Sequence, residues 1–390
     1  MKRNILILIV LLVLSGNMAR AQYSATGSNV VSSAVPFLAI APDSRGGAMG
    51  DVGVATSPDV NSQYWNPAKY VFTESRSGIA LSYTPWLRSL VKDMDLAYLT
   101  GYHQLDDIQA LSASLRYFDL GSMDLFTING TPDGSSNPNE FAVDFGYSRK
   151  LSDNWSGAVA LRFILSDIYN GIIDADLEAG TSYAADVAFF YNKKIYKNRK
   201  NSVISGGINI SNIGAKITYD NGAYKDFIPT NLKIGGNYST EIDQYNKMSF
   251  SVDLNKLLVP SPVLDTIDGR LVFSQEGNQD LGPIEGIFTS LHDAPGGFSE
   301  ELSEITLSLG AEYWYSNQFA IRAGFFNEAK DKGDRKYLSF GAGLKMNVFS
   351  LDFSYIYTLR RQSPLENTLR FTLGFDLDDF QKQGKKKGRK

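Results

Sequence analysis

From Ile79 to Phe375 the chain alternates apolar residues with small or polar ones, segment after segment, with a period of two. The stretch "FAVDFGYSRKL" puts Phe141, Val143, Phe145 and Tyr147 on one face, with Ala142, Asp144, Gly146 and Ser148 opposite. "NWSGAVALRF" sets Trp155, Gly157, Val159, Leu161 and Phe163 against Ser156, Ala158, Ala160 and Arg162. "FSLDFSYIY" sets Phe349, Leu351, Phe353, Tyr355 and Tyr357 against Ser350, Asp352 and Ser354. Successive side chains of a strand point to opposite faces, so each segment predicts a strand with one apolar face. About ten alternating residues is also the length that crosses a bilayer as a tilted strand.

Fourteen such segments can be counted, over 78–84, 94–103, 108–118, 140–150, 155–165, 181–191, 202–212, 229–239, 247–256, 303–315, 319–326, 337–345, 348–358 and 367–376. Every second connector is short: "QLDD", "LSDN", "NKKIYKNRKN", "TEIDQYN", "SNQ" and "MN". The others are longer, and the alternation runs unbroken around the chain. An antiparallel transmembrane barrel with short periplasmic turns and long outer loops predicts this pattern. The expected fold is therefore an all-β, fourteen-stranded outer-membrane β-barrel over 78–376, with both termini in the periplasm.

The N-terminus agrees. Lys2 and Arg3 precede an apolar run from Ile5 to Leu14 and then Ala19-Arg20-Ala21, which predicts a signal peptide over 1–21 with Gln22 as the mature start. The apolar run is too short to span a bilayer as a helix, and no later stretch offers eighteen consecutive apolar residues. There are 21 Tyr, 23 Phe and 35 Gly but no Cys, which excludes disulfides, thiolate metal sites and a Cys nucleophile. His103 and His292 are the only histidines, so no His-rich metal site is expected, and no cofactor.

Charge is uneven. The tail 377–390 ends in "QKQGKKKGRK", with six basic groups. A basic tail can meet nucleic acid, but in an exported chain a solvated periplasmic tail or an acidic partner is the expectation, and no nucleic acid. The loop 166–180 carries Asp167, Asp174, Asp176 and Glu178 without a basic residue. The loop 257–302 has eight acidic residues against Arg270. The turn 192–201 is basic, with Lys193, Lys194, Lys197, Arg199 and Lys200. An acidic outer rim has two readings: bridging to lipopolysaccharide and other outer-membrane lipid through divalent ions, or electrostatic docking of partners.

The loop 257–302 is too long for a plain connector. Within it Ile284, Ile287, Phe288 and Leu291 recur at helical spacing. That short stripe either caps its own barrel or inserts into a partner. The first outer loop offers Trp86, Leu87, Leu90 and Val91, a second apolar group on the same rim. Catalytic signals are weak. His103 and His292 fall at opposite ends of the barrel, and His292 has only Ser290 and Asp293 as neighbours for a hydrolytic pair. Gly47, Gly50 and Gly53 follow no strand and match no phosphate-binding loop. No enzyme is expected.

One stretch ahead of the first strand is neither strand nor linker: "PDSRGGAMGDVGVATSPDVNSQYWNPAKY", Pro42 to Tyr70. Small residues crowd it, including Gly46, Gly47 and Gly50 beside Arg45. It ends where Asn66 can cap a turn with Pro67 at its first position, just after Trp65. Backbone with so few side chains packs close to a wall, so the segment 22–77 reads as a lumenal hatch, with a loose periplasmic arm as the alternative.

A segment ending in "NPA" ahead of about fourteen strands resembles the FadL-like transporters of hydrophobic compounds. The fuller text from Pro36 to Tyr70 resembles more specifically the PorV (LptO) family, outer-membrane barrels of the type IX secretion system of Bacteroidetes. The resemblance implies a shuttle or adaptor subunit that binds the C-terminal domains of secreted cargo. It implies association with the translocon barrel of that system and transfer to a sortase-containing attachment complex. A lipid A deacylase role has been proposed for the family, which the weak Ser-His pairing and two histidines here support little. The FadL-like likeness also leaves open a conduit for hydrophobic molecules.

Overall fold

The computed structural model describes residues 29–378, apart from 89, 173–175, 198–199, 268–269, 275 and 361–362. The leader over 1–21 and nearly all of the basic tail lie outside the described residues, as do Asp174 and Arg199. Among the described residues eighteen strands follow one another in chain order. They are β1 (Ser77–Pro85), β2 (Asp95–Gln104), β3 (Gln109–Asp119), β4 (Met123–Phe126), β5 (Pro132–Ser136), β6 (Asn139–Lys150), β7 (Trp155–Asp167), β8 (Gly180–Lys197) and β9 (Lys200–Gly214). Then come β10 (Asn231–Glu241), β11 (Asn246–Leu257), β12 (Val263–Ile267), β13 (Arg270–Ser274), β14 (Thr306–Tyr315), β15 (Phe319–Asn327), β16 (Lys336–Lys345), β17 (Phe349–Thr358) and β18 (Leu369–Asp376).

Fourteen of them close a barrel of antiparallel neighbours, and β18 pairs back onto β1 with Gly78 opposite Asp376. The other four form two hairpins, β4–β5 and β12–β13, inside long loops. Closure leaves no sheet edge, which is what a strand-built wall in lipid requires. The expected segments match the barrel strands to within a few residues, with one clear exception. The connector 192–201 is not a turn: β8 and β9 continue into a hairpin that closes between Lys197 and Lys200. Ile195 and Tyr196 sit among its lysines and keep the strand pattern going.

The two faces of the wall differ as the alternation requires. Phe145, Leu161 and Ile321 point outward and are 64–65% exposed. An exposed apolar band around a whole protein is a lipid-facing surface, not one that water would tolerate. The inward positions are polar and buried: Ser114, Asp144, Arg162, Asp186, Asn209, Asp253, Glu312, Arg322 and Arg370. No described helix is long and apolar enough to cross a membrane.

The N-terminal segment runs through the barrel from one end to the other. Asn29 donates to Glu300 of the longest loop, at 2.8 Å. Phe37 and Leu38 pack with Leu96, Phe118, Ile164, Ile217 and Ile228 at the long-loop end. A short helical turn at Ser44–Ala48 lies against β15 to β18 in the middle. The turn Pro67–Phe72 packs beside β6 to β8 near the short-turn end, with Tyr70 stacked on Tyr102. Asn29 and Asp376 therefore sit at opposite ends of the barrel.

Candidate functional site

The segment and the wall meet through glycine on both sides. Gly50 has φ +74°, and a Cβ on it would lie 2.6 Å from the Phe325 carbonyl oxygen of β15. A Cβ on Gly324 would overlap the Met49–Gly50 peptide; Gly310 is likewise closed by Met49, and Gly341 by Ala48. Gly46 and Gly53 are both covered by the Trp65 indole, and Gly47 by Arg370. Only backbone without side chains can approach so closely.

Polar wall residues satisfy the backbone groups of this non-helical segment, as buried groups require. Asp253 accepts from the amides of Gly53 and Val54 at 2.7 and 2.9 Å. Ser339 accepts from the Gly50 amide, and Thr372 from that of Ser44. Asp43 caps the Ser44–Ala48 turn by accepting from the Gly46 amide at 2.8 Å, and its other oxygen accepts from the Trp65 indole at 2.6 Å. Asn66 caps the next turn as its position ahead of Pro67 suggested: its side chain accepts from the Ala68 amide. Pro42 is buried at the start of the stretch.

Arg45 is the electrostatic anchor. It forks onto Glu312 of β14 at 2.7 and 3.0 Å and reaches Asp59 at 2.8 Å. Glu312 also accepts from Arg322 of β15, which donates to Asp352 of β17 at 2.6 Å. Four chain segments are thus tied by one buried network. A second network lies across β6, β7 and β8, where Arg162 bridges Asp144 and Asp186 and reaches Asn212. Sequence reading singled out Arg45 but not its partners. Their signal was present: Asp144, Arg162, Glu312, Arg322 and Asp352 all occupy inward parity positions, where most barrels carry polar groups.

The long-loop end holds the other candidate residues. The stripe forms a helix, Pro283–Thr289, followed by Leu291. Gly286 is its buried residue, covered by the Phe227 ring and Pro260, while Ile284 and Phe288 are 57% and 64% exposed. Ile287 is half-buried and Leu291 exposed. A second helix, Phe298–Ser303, lies where the strand 303–315 was expected to begin, and it exposes Phe298 at 78%, together with Leu302. In the first loop Leu90 and Val91 are exposed, but Trp86 packs against the Phe37 cluster and Leu87 is half-buried. The sequence offered no sign that the N-terminal segment would reach that far and cover Trp86.

The acidic rim is also less bare than its local sequence. Lys332 pairs with Glu300 and Glu304, and Lys256 with Glu301 and Glu304, so distant lysines neutralise this part of the loop. Burial pushes the Glu300 carboxyl up, but hydrogen bonds from Lys332 and Asn29 outweigh it and hold the group below its ordinary value of 4.5. A depressed carboxylate contributes stability above its unfolded value and loses it as pH falls through the folded one. The clasp is therefore expected to hold at pH 7 and to be lost on acidification, below the ordinary carboxylate value of 4.5. Hydrogen exchange over 296–304 should quicken on acidification and in Lys332→Ala at pH 7. Unchanged exchange in that variant would rule the clasp out as the restraint.

The sequence neighbours of His292 have other hydrogen-bond partners. Its neighbour Ser290 is buried and donates to the Ile287 carbonyl, while Asp293 accepts from the Ser261 amide. At the far end His103 contacts Ser77 at 2.7 Å, fully at the surface. Among the described residues no group of three His, Cys, Asp or Glu could hold a metal.

A closed fourteen-stranded wall, an apolar outer band and a charged, segment-filled lumen define an outer-membrane β-barrel. Its sequence matches, over residues 23–264, the family described as "Type IX secretion system protein PorV". That is more than half of the chain, and the chain belongs to that family. Among solved structures it is similar to a mutant of the monoaromatic hydrocarbon channel TodX, at 11% identity and TM-score 0.47, covering 85% of this chain and 97% of that one. It is also similar to the Ralstonia pickettii toluene transporter TbuX, at 11% identity and TM-score 0.44, covering 86% and 97%. A Pseudomonas aeruginosa FadL homologue matches at 10% identity and TM-score 0.43, covering 90% and 100%. No curated protein matches the chain.

Proposed function

We propose that this chain is a non-enzymatic adaptor of type IX secretion whose long-loop end faces the cell exterior. There it binds the C-terminal domains of secreted cargo and docks on the translocon barrel and the attachment complex. The observation that carries this reading is the outward-facing apolar surface of the two helices in the longest loop, at Ile284, Phe288, Leu291, Phe298 and Leu302. These side chains lie beyond the strand ends, where lipid does not cover them, so a protein partner is the cover they fit. The same chain fills its own lumen with an ion-paired segment. That supports a scaffold held rigid rather than a conduit for hydrophobic molecules, and the segment acts as a fixed hatch.

The test is a triple substitution of exposed side chains outside the barrel strands, Ile284→Asp, Phe288→Asp and Phe298→Asp. Affinity purification should lose cargo and translocon chains at least about tenfold, equivalent to about 1.4 kcal/mol. The variant should keep the heat-modifiable migration of a folded barrel. Full retention of both partners would refute the loop assignment.

A further inference from the structure

We infer that a cavity at the long-loop end is a binding site for a small organic cation, an alkylammonium or guanidinium group. The cavity encloses about 390 Å³ and is lined by Glu140, Phe118, Tyr169, Tyr219 and Phe227, with residues 32–36 of the N-terminal segment along one side. Its size suits a small ligand or one long side chain. The segment is tied to this rim by the Ala34 amide, which donates to the Phe227 carbonyl at 2.9 Å.

Glu140 gives the site its sign. It stands at the loop end of β6, facing inward, and is only 2% exposed. It accepts a hydrogen bond from Ser166 at 2.7 Å, and Ser166 in turn accepts from the Tyr219 hydroxyl at 2.9 Å. Among the described residues no basic side chain pairs with it, whereas Asp144, Asp186, Glu312 and Asp352 each meet an arginine, and Asp43 and Asp253 accept backbone amides of the N-terminal segment instead. A buried carboxylate without a counter-charge is costly, and a bound cation offsets that cost.

The walls fit the same ligand. Tyr169 and Tyr219 meet edge to face with centroids 5.9 Å apart. Aromatic faces around a carboxylate attract cations through the ring quadrupole. The chain already uses this chemistry from behind, where the Lys216 ammonium lies over the Phe227 ring at 4.1 Å. Lys225 and Asp226 also line the cavity, one charge of each sign, so the net charge of the lining is that of Glu140. An anion would face that carboxylate. A wholly apolar ligand would bury it without a partner. The site is independent of the adaptor reading, since it uses none of the exposed helix residues.

Two sources can supply such a cation: a lysine or arginine side chain of a polypeptide, or a free amine such as a lipid headgroup. The test uses the full-length barrel in detergent and ligand-observed NMR. The probes are choline, its uncharged carbon isostere and N-acetyl-lysine amide. At least one cation should bind on the order of tenfold tighter than the isostere, a difference of about 1.4 kcal/mol. Glu140→Gln should abolish that preference, and Tyr169→Ala, which leaves the carboxylate in place, should weaken it. Tighter binding of the lysine amide identifies a polypeptide side chain as the source, and tighter binding of choline a free ammonium. Equal binding of cation and isostere, cation preference that survives Glu140→Gln in a folded barrel, or no binding by any probe would overturn the assignment.

Discussion

Replacing Gly50 with valine is expected to destabilise the folded barrel by about 3 kcal/mol and to release the N-terminal segment from the wall. Two costs combine. A β-branched residue at φ +74° is strained wherever it sits, and its Cβ would press on the Phe325 backbone, which is held in the β14–β15–β16 ladder and cannot retreat. Gly236 is the control. It lies on β10, where an added methyl would meet nothing nearer than Val252 at 3.9 Å, so Gly236→Ala should change stability by less than about 0.5 kcal/mol. Urea unfolding followed by tryptophan fluorescence measures both. Limited proteolysis should then cut the Gly50→Val segment and spare the Gly236→Ala one. A stable, protease-resistant Gly50→Val barrel would show that the close backbone approach does not hold the segment.

The second large effect is expected at Glu312. Its removal by Glu312→Ala leaves Arg45 with Asp59 as its one carboxylate and Arg322 with Asp352 alone, while Arg45, Arg322 and Asp352 are all below about one-eighth exposure. Breaking a buried network by deleting one partner costs about 3–5 kcal/mol, mostly from the charge left behind. The double variant Arg45→Met with Glu312→Leu should recover part of the loss, because the Arg45 charge leaves together with that of Glu312, while Asp59 keeps its bonds from the Asn61 amide and the Ser62 hydroxyl. Equal destabilisation by the single and double variants would mean that the network contributes through packing and not through charge.

Most of the wall was legible in the sequence because strand parity is a local signal. Each apolar face had to point at lipid, and a one-residue slip would reverse it. The 192–201 connector misled because four lysines read as a turn, while the pairing that extends β8 and β9 comes from the partner strand. The long loop misled for a related reason. Its eight carboxylates are counted locally, but Lys256 and Lys332, which neutralise two of them (Glu300 and Glu301) and Glu304 just beyond, come from β11 and the β15–β16 loop. In the N-terminal segment the glycines predicted close packing correctly. What they packed against, Phe325, Arg370 and Trp65, is set by the tertiary fold. The Glu140 cavity was invisible for the same reason, since Phe118 of β3 meets Tyr169 and Phe227 there from two separate loops.

Whether the apolar helices of the longest loop hold a protein partner at the cell surface is tested most directly by site-specific photocrosslinking in living cells. The photoreactive residue is placed at Phe288 or Phe298 and, as reference, at Phe250 on the lipid-facing wall. Adducts to secreted C-terminal domains or to the translocon barrel are expected from positions 288 and 298, and none from position 250. Polypeptide adducts from the wall position with none from either loop helix would contradict the adaptor reading.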